Sequence, residues 1–387
     1  MTVGRPVPPP LGKPLPDTST ELSRVAPDEG RLVPALGALS AAGGLEALTL
    51  ARRAPGPEDV EILIQFCGLC HSDVHSTRGE WGPENYPLVP GHEIVGAVLR
   101  TGTDVTEFSV GDRVGVGCMV DSCRNCEACL EGLEQYCENG MVGTYGGTDP
   151  RNGNVRTQGG YAQTIVVDRR YVLNIPDGLD AAAAAPLLCA GITTYSPLRH
   201  AGVEEGDDVG VVGLGGLGHM AVKLAKAMGA GVTVFTTSES KREDALALGA
   251  DRVVNSRDAD QMLAATKSVD VIIDTVAASH DLNPYLRALR RDGVVFQLGL
   301  PSGAMPPVDP RLLIRRRAAY AGSLIGGIAE TQEMLDFCAE HGVASEIETV
   351  SADGVDHAFD RMVAGDVKYR FVLDTSTLHS AGKEADA

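Results

Sequence analysis

The sequence predicts an α/β plus β protein: a mostly antiparallel, barrel-like β domain joined to a doubly wound parallel sheet with helices on both faces. Three observations carry this prediction. Short β-branched segments between turns run from residue 33 to about 180, the texture of an antiparallel barrel. From about 181 strand-like and helix-like segments alternate, which is the pattern of parallel strands joined by crossover helices. Within that second region Gly213-Leu214-Gly215-Gly216-Leu217-Gly218 follows a strand and opens a helix.

The chain has 387 residues, enough for two domains with separate cores. Its net charge of −19 argues against nucleic acid or an anionic membrane surface as partner. No apolar run in it approaches the ~20 residues needed to span a bilayer. The N-terminus lacks the apolar core of a secretory signal, so the expected location is the cytoplasm. Nine cysteines in that compartment are thiols or metal ligands rather than disulfides.

Taken in order, residues 1–32 are rich in proline (Val7-Pro8-Pro9-Pro10, Lys13-Pro14, Leu15-Pro16) and poor in bulky apolar groups. Such a segment cannot bury enough surface to offset its ordering entropy and reads as a flexible tail; an arm docked on a partner subunit is the alternative. Segments 60–64, 94–98 and 112–116 supply strands of the first domain. In the second, strand 208–212, helix 219–228 and strand 232–235 come first. Helix 243–248 and strands 252–254, 269–273, 293–298 and 318–322 continue the series. A helix over 330–340 and later β segments do not extend that pattern and are available to return to the first domain. The last ten or so residues read as frayed.

The glycine motif fits a dinucleotide fingerprint: Gly213 for a tight turn, Gly215 for room beside a pyrophosphate, Gly218 for close helix–strand packing. The flanking strand and helix make the signal specific. Which dinucleotide is set at the end of the second strand, where NAD sites place an acid on the ribose 2′-hydroxyl. This chain has Thr236-Thr237-Ser238, with Lys241 and Arg242 following. Small hydroxyls leave room for a 2′-phosphate and two cations can pair with it, so NADP(H) is expected. Glu239 is the contrary detail, and an ordinary polar turn with a solvated Lys-Arg pair is the bland reading.

Two metal signals follow from donor chemistry. Cys123-x-x-Cys126-x-x-Cys129 and then Cys137 place four thiols in one lobe (118–140). Four thiolates close a tetrahedral shell, as in a structural zinc site. A second set is assembled across distance: Cys70 and His92, with Cys189 as a third ligand where the second domain begins. Three protein ligands and an open position are what catalytic zinc requires. Ser72, Asp73, His75 and Glu93 lie beside them, hydroxyl, imidazole and carboxylate groups suited to proton handling. Singly, Cys189 also reads as a small core residue and His92 as a buried hydrogen-bonder; Cys67, Cys118 and Cys338 are assigned that bland role.

These residues resemble the zinc-dependent medium-chain alcohol dehydrogenases, in particular the cinnamyl-alcohol-dehydrogenase-like branch. The resemblance rests on Cys-Gly-Leu-Cys-His-Ser-Asp (67–73), Gly-His-Glu (91–93), the four-cysteine lobe, Cys-Ala-Gly-Ile-Thr (189–193), the glycine motif with His219, the 236–242 segment and Gly-Asp-Val-Lys-Tyr-Arg-Phe-Val (365–372). It covers about 33 to 376.

The resemblance implies a GroES-like catalytic domain (33–182, completed by 327–376) interrupted by a Rossmann domain (183–326), with tails at 1–32 and 377–387. It implies Cys70, His92 and Cys189 as catalytic zinc ligands, and Glu93 as a carboxylate approaching as a fourth. Asp73 is then the acid that orients a ligating imidazole. Ser72 and His75 form a proton relay passing through the nicotinamide ribose, which Ser72 contacts. Thr193, Thr275, Gly299 and Ser323 join the 213–218 glycine motif, including Leu214, Gly216 and Leu217, as cofactor contacts. Two zinc ions per chain, NADP(H), a small alcohol or aldehyde substrate and a homodimer complete the expectation. The implied activity is interconversion of primary alcohols and aldehydes, aromatic or medium aliphatic, running as aldehyde reduction. An NAD-dependent zinc polyol or formaldehyde dehydrogenase is the alternative. Trp81 stands between the two ligand segments as either a pocket wall or a packing residue.

Overall fold

The computed structural model describes residues 30–82, 85–301 and 303–379; most of the proline-rich segment and the last eight residues of the C-terminal tail lie outside them. The expected tail boundary at residue 32 is too late. Strand β1 (Arg31–Ala38) already pairs antiparallel with β2 (Leu45–Arg52). Arg31 Nε lies 2.7 Å from Glu61 Oε1, with both side chains buried. Arg31 joins Arg100 of the neighbouring strand on the buried Glu61 carboxylate, which ties the chain down from residue 31. The expected tail from 377 also starts too early, because Leu378 packs into the core.

The first sheet is organised on β3 (Asp59–Leu69), an eleven-residue strand whose nearly unbroken apolar run is buried on both faces. One edge takes β4 (Ile94–Thr101), which pairs onward with β5 (Arg113–Val116). After two short hairpins, β6 (Met119–Asp121) with β7 (Val142–Gly143) and β8 (Thr148–Asp149) with β9 (Val155–Arg156), the chain returns as β10 (Thr164–Asp168) on the other edge of β3. Strand β11 (Leu173–Asn174) closes on β5.

The chain then enters a six-stranded parallel sheet: β12 (Asp208–Val212), β13 (Gly231–Thr236), β14 (Arg252–Asn255), β15 (Val269–Asp274), β16 (Leu289–Gln297) and β17 (Ala319–Gly322). Its order is β14-β13-β12-β15-β16-β17, so the direction of winding reverses between β12 and β15. A ligand crevice forms at the carboxyl ends of strands at such a switch point.

Last, β18 (Ile347–Val350) and β19 (Arg370–Asp374) do return to the first sheet. They run parallel to each other, and β19 is antiparallel to β3, Phe371 facing Leu69 and Asp374 facing Phe66. The strand that carries Cys70 at its end is thus locked from both sides, by β4 and by a strand from the far end of the sequence. Helices α1 (His71–Thr77), α2 (Ala190–His200), α3 (Gly218–Ala227), α4 (Ile328–His341) and α5 (Val355–Ala364) matter for the site. One apolar core runs from β3 through α2 to β12, and a smaller one covers the opposite face of the parallel sheet around Phe235, Ile272 and Leu286. Among the described residues no single helix is long and apolar enough to cross a membrane.

Candidate active site at the junction of the two sheets

Cys70 stands where β3 ends and α1 begins. Asp73 fixes that corner: its Oδ2 accepts the Cys70 backbone N–H at 2.8 Å, satisfying an amide at the helix start that has no intrahelical partner. Its Oδ1 accepts the Gly91 N–H at 3.1 Å and lies 3.5 Å from His92 Nδ1. Tyr161 donates its hydroxyl to Oδ2 at 3.3 Å. One buried carboxylate therefore sets both the loop holding Cys70 and the orientation of His92, leaving Nε2 as the ligating nitrogen. Cys189 caps α2 from the opposite side.

The ligand atoms of Cys70, His92, Glu93 and Cys189 all lie within 4.8 Å of one another, and all four residues are buried. Glu93 Oε2 has no hydrogen-bond partner. Nothing larger than glycine fits at 68, because a Cβ there would lie 1.9 Å from that oxygen. Two sulfurs, an imidazole with its other nitrogen already held and an unpartnered buried carboxylate oxygen form a donor set suited to zinc. Cys70 is pushed well below the ordinary thiol value, first by a hydrogen bond from Cys189, with burial opposing. Burial pushes the Glu93 carboxyl up to about 7, while Arg370 pulls it down.

Ser72 and His75 share one face of α1. The Cys70 thiol lies 3.6 Å from Ser72 Oγ, so the hydroxyl borders the metal-ligand cluster directly. His75 Nδ1 is 2.5 Å from Glu80 Oε2, and both side chains reach solvent. That contact holds the imidazole at the surface end of the helix. Trp81 is 50% exposed and its ring lies 5.0 Å from that of His75. It is not core packing; it lies against the His75 imidazole.

The four lobe cysteines, Cys123, Cys126, Cys129 and Cys137, also bring their sulfurs within 4.8 Å of one another. The backbone N–H groups of Cys126 and Cys123 point at Cys123 and Cys137 sulfurs, each at 3.4 Å, and Ser122 Oγ lies 3.1 Å from Cys129 Sγ. Backbone donors aimed at the Cys123 and Cys137 sulfurs suit thiolates holding a cation.

In the glycine turn each glycine has its own reason. Gly213 has φ +87°, a conformation that favours glycine. A Cβ at Gly215 would meet nothing, the open side a pyrophosphate needs, whereas at Gly218 it would lie 2.2 Å from Gly213 O. Leu214, Gly216 and Leu217 complete the turn into α3. Thr275 Oγ donates to Val212 O at 2.8 Å and packs beneath Gly213. Gly299 passes against the Val276 backbone, and Ser323 N–H reaches Gln297 O at 3.4 Å. Thr193 lies one turn after Cys189 on α2, buried.

At the end of β13, Thr237 is exposed and Ser238 partly so, while the Thr236 hydroxyl turns inward and accepts the Ser238 N–H at 3.2 Å. Lys241 Nζ donates to Leu214 O at 2.8 Å, placing its charge on the glycine turn. Arg242 instead pairs with Glu239 and reaches Val253 O. Glu239, which stood against a 2′-phosphate in the sequence, is thus neutralised by its neighbour.

Four contributors were not singled out from sequence. Arg370 forms a buried ion pair with Glu93 from 277 positions away, and its side chain lies 3.0 Å from where a Cβ on Gly216 would be. It therefore touches both the metal-ligand cluster and the cofactor turn. Tyr145 stacks on His92 at 5.6 Å, and burial pushes its hydroxyl well above the ordinary phenol value. Cys118, assigned a bland role from sequence, interacts with Cys189 at the site wall. His280 faces the buried Asp274 at the end of β15, Nε2 to Oδ2 2.9 Å. No spacing rule marks any of the four.

Contact with Asp274 raises His280 above the ordinary imidazole value, with Ala278 O accepting from Nδ1 and Asp281 adding to the field. Because the folded value is raised, the stabilisation is complete below the unfolded pKa of about 6.5 and is lost as pH rises through the folded value. The melting-temperature deficit of His280→Gln should therefore be largest near about pH 6 and shrink toward about pH 9. A pH-independent deficit would contradict this.

A barrel that carries a three-ligand metal cluster at its junction with a dinucleotide-binding sheet defines a zinc-dependent nicotinamide oxidoreductase. Comparison with known proteins agrees. Residues 56–177 match the alcohol dehydrogenase GroES-like domain, and 216–340 match the zinc-binding dehydrogenase domain. The chain is 57% identical to the aldehyde reductase YahK of Escherichia coli over 349 residues, 89% of this chain and 99% of that one. Among solved structures, a cinnamyl alcohol dehydrogenase from Sorghum bicolor superposes with TM-score 0.87 at 45% identity, covering 92% of this chain and all of that one. A cinnamyl alcohol dehydrogenase from Helicobacter pylori, complexed with NADP(H), gives 0.84 at 40%, covering 90% and 100%. The chain belongs to the zinc-dependent medium-chain alcohol dehydrogenase family, in its cinnamyl-alcohol-dehydrogenase-like branch.

Proposed function

We propose that the protein is an NADP(H)-dependent zinc alcohol dehydrogenase that interconverts primary alcohols and aldehydes and works chiefly as an aldehyde reductase. The observation that carries the cofactor choice is the end of β13, where small hydroxyls stand in place of an acid and Lys241 is held against the glycine turn. The Helicobacter pylori structure complexed with NADP(H) supports the same cofactor, and the aldehyde reductase YahK supports the direction.

When bound, zinc at Cys70, His92 and Cys189 supplies Lewis acidity to the substrate oxygen, and the nicotinamide supplies the hydride. The chain's own groups do the rest. Asp73 holds His92 and Cys70 in place. Ser72 takes up or gives the hydroxyl proton beside the cluster, and His75, steadied by Glu80, exchanges it with solvent. Glu93, balanced between burial and Arg370, stays at the cluster without adding a full negative charge to those of the two thiolates. Arg370 and the open side of Gly215 receive the pyrophosphate. Trp81 over His75 favours aromatic or medium aliphatic aldehydes.

Lys241→Ala should lower kcat/KM for NADPH by roughly 10- to 100-fold, the scale of one charge-assisted contact to phosphate, with NADH turnover unchanged. Equal losses with both cofactors would refute the assignment. A panel of aldehydes assayed with both cofactors then ranks substrates.

The chain also pairs as a homodimer in this reading, with a cytoplasmic location consistent with nine free cysteines. Strand β17 is the last of its sheet, and Leu300, Ile314 and Leu324 near it are 66%, 77% and 45% exposed. An uncovered strand edge beside apolar side chains is a template for a second copy. Light scattering should give twice the chain mass; a monomer at micromolar concentration would exclude this.

A further inference from the structure

The cysteine lobe does more than close on itself. Between Cys129 and Cys137 the chain forms a short 3-10 turn, Glu134–Tyr136, and both ends of it reach out of the lobe. The Tyr136 hydroxyl accepts the Leu324 N–H at 3.0 Å. Glu134 Oε2 accepts the N–H of Ile328, the first residue of α4, at 3.1 Å. Helix α4 has only Gly327 at its N-cap and no side chain of its own there. A carboxylate from the lobe thus satisfies an orphan amide at the positive end of a fourteen-residue helix. The approach is too close for any side chain at 327, where a Cβ would lie 1.8 Å from Gly132 O.

The segment so held, 324–328, sits in a demanding place. Ile325 is a β-branched residue at φ +35°, a conformation such residues adopt only when their surroundings impose it. It is buried, and its neighbour Gly326 is packed so tightly on Ile192 of α2 that a Cβ would lie 2.6 Å from Ile192 Cδ1. Ile192 is three residues from the ligand Cys189. The segment also leaves the carboxyl end of β17, the side on which a sheet of this winding binds its cofactor.

We propose that Glu134 and Tyr136 are positioning residues through which the cysteine lobe clamps 324–328 in the conformation the cofactor requires. This rests on the cofactor reading above. A cation held by the four lobe sulfurs would fix Cys129 and Cys137 and with them the turn between, and the turn holds the segment. The ordering is completed before the cofactor arrives, so binding does not bear its cost. The lobe's metal therefore supports cofactor affinity as well as local folding.

The test uses the full-length, zinc-loaded enzyme and four variants: Tyr136→Phe, Glu134→Ala, their combination, and Glu134→Gln, which keeps an acceptor oxygen. NADPH affinity is read by fluorescence titration, zinc by elemental analysis and the Leu324 and Ile328 amides by hydrogen exchange. The double variant should bind NADPH about tenfold more weakly, exchange both amides faster and keep its zinc. Its turnover at saturating NADPH should stay within about twofold of the parent, and Glu134→Gln should recover most of the affinity. Unchanged affinity in the double variant, or turnover lost with affinity unchanged, overturns the proposal. Should the double variant lose zinc, Tyr136→Phe alone decides, since it removes only a hydroxyl, and unchanged affinity there is again an overturning result. Failure of the parent enzyme to bind NADPH would overturn the cofactor reading beneath the proposal.

Discussion

Replacing Cys70 or Cys189 with alanine is expected to lower aldehyde turnover by at least about a thousandfold, the scale of several kcal/mol of charge stabilisation at the substrate oxygen. Each sulfur is one of the two thiolate donors in a buried set completed by His92 and Glu93, and removing either leaves that donor position empty. The fold should persist. Cys70 follows a strand locked by β4 and β19, and Cys189 caps a helix whose apolar face is buried. Zinc per chain should drop from two to one, leaving the ion held by Cys123, Cys126, Cys129 and Cys137. A variant that has lost this zinc and still turns over like the parent would remove the metal from the chemistry.

Arg370→Ala is expected to be the most damaging single change to stability. Arg370 is 4% exposed and Glu93 0%, and truncating one member of such a pair leaves the other charge buried alone, at a cost of about 3–5 kcal/mol. With the guanidinium gone, burial outweighs the remaining pull of His92 and the Glu93 carboxyl rises further, so uptake of a proton relieves part of that cost and its approach to the cluster weakens. Thermal unfolding should shift down by several degrees, and KM for the cofactor should rise because the same side chain borders Gly216. Pairing Arg370→Met with Glu93→Gln should restore much of the melting temperature, since it removes the unpaired charge, without restoring cofactor affinity. A double variant no more stable than Arg370→Ala would show that the ion pair is not the source of the loss.

Much of the site was legible because the donors come in short, rigid spacings. Cys70 directly follows a strand, and Ser72, Asp73 and His75 fall on the two-turn helix it caps, so their proximity is a local matter. The lobe cysteines are likewise close in sequence, and the glycine turn is fixed by strand, turn and helix in immediate succession. What was not legible lies where unlike segments meet. Tyr145 reaches His92 from a hairpin after the lobe, and Glu80 meets His75 because the chain turns back after α1. The tail boundaries missed at both ends for the same reason: Arg31 and Leu378 are ordered by partners elsewhere, Glu61 and the core, not by neighbours in sequence.

By itself the sequence determined the two kinds of sheet, the glycine turn with its three distinct demands and the four-sulfur lobe, because each depends on residue chemistry or on spacings of a few residues. The tertiary structure alone decided that Arg370 balances Glu93, that Lys241 rather than Arg242 lies on the glycine turn, and that Glu134 and Tyr136 leave the lobe to hold 324–328. These pairings join residues from about 30 to nearly 280 positions apart. Their partners are chosen by how strands and helices stack, and in a buried site a charge or an amide must find whichever complementary group that stacking brings within reach.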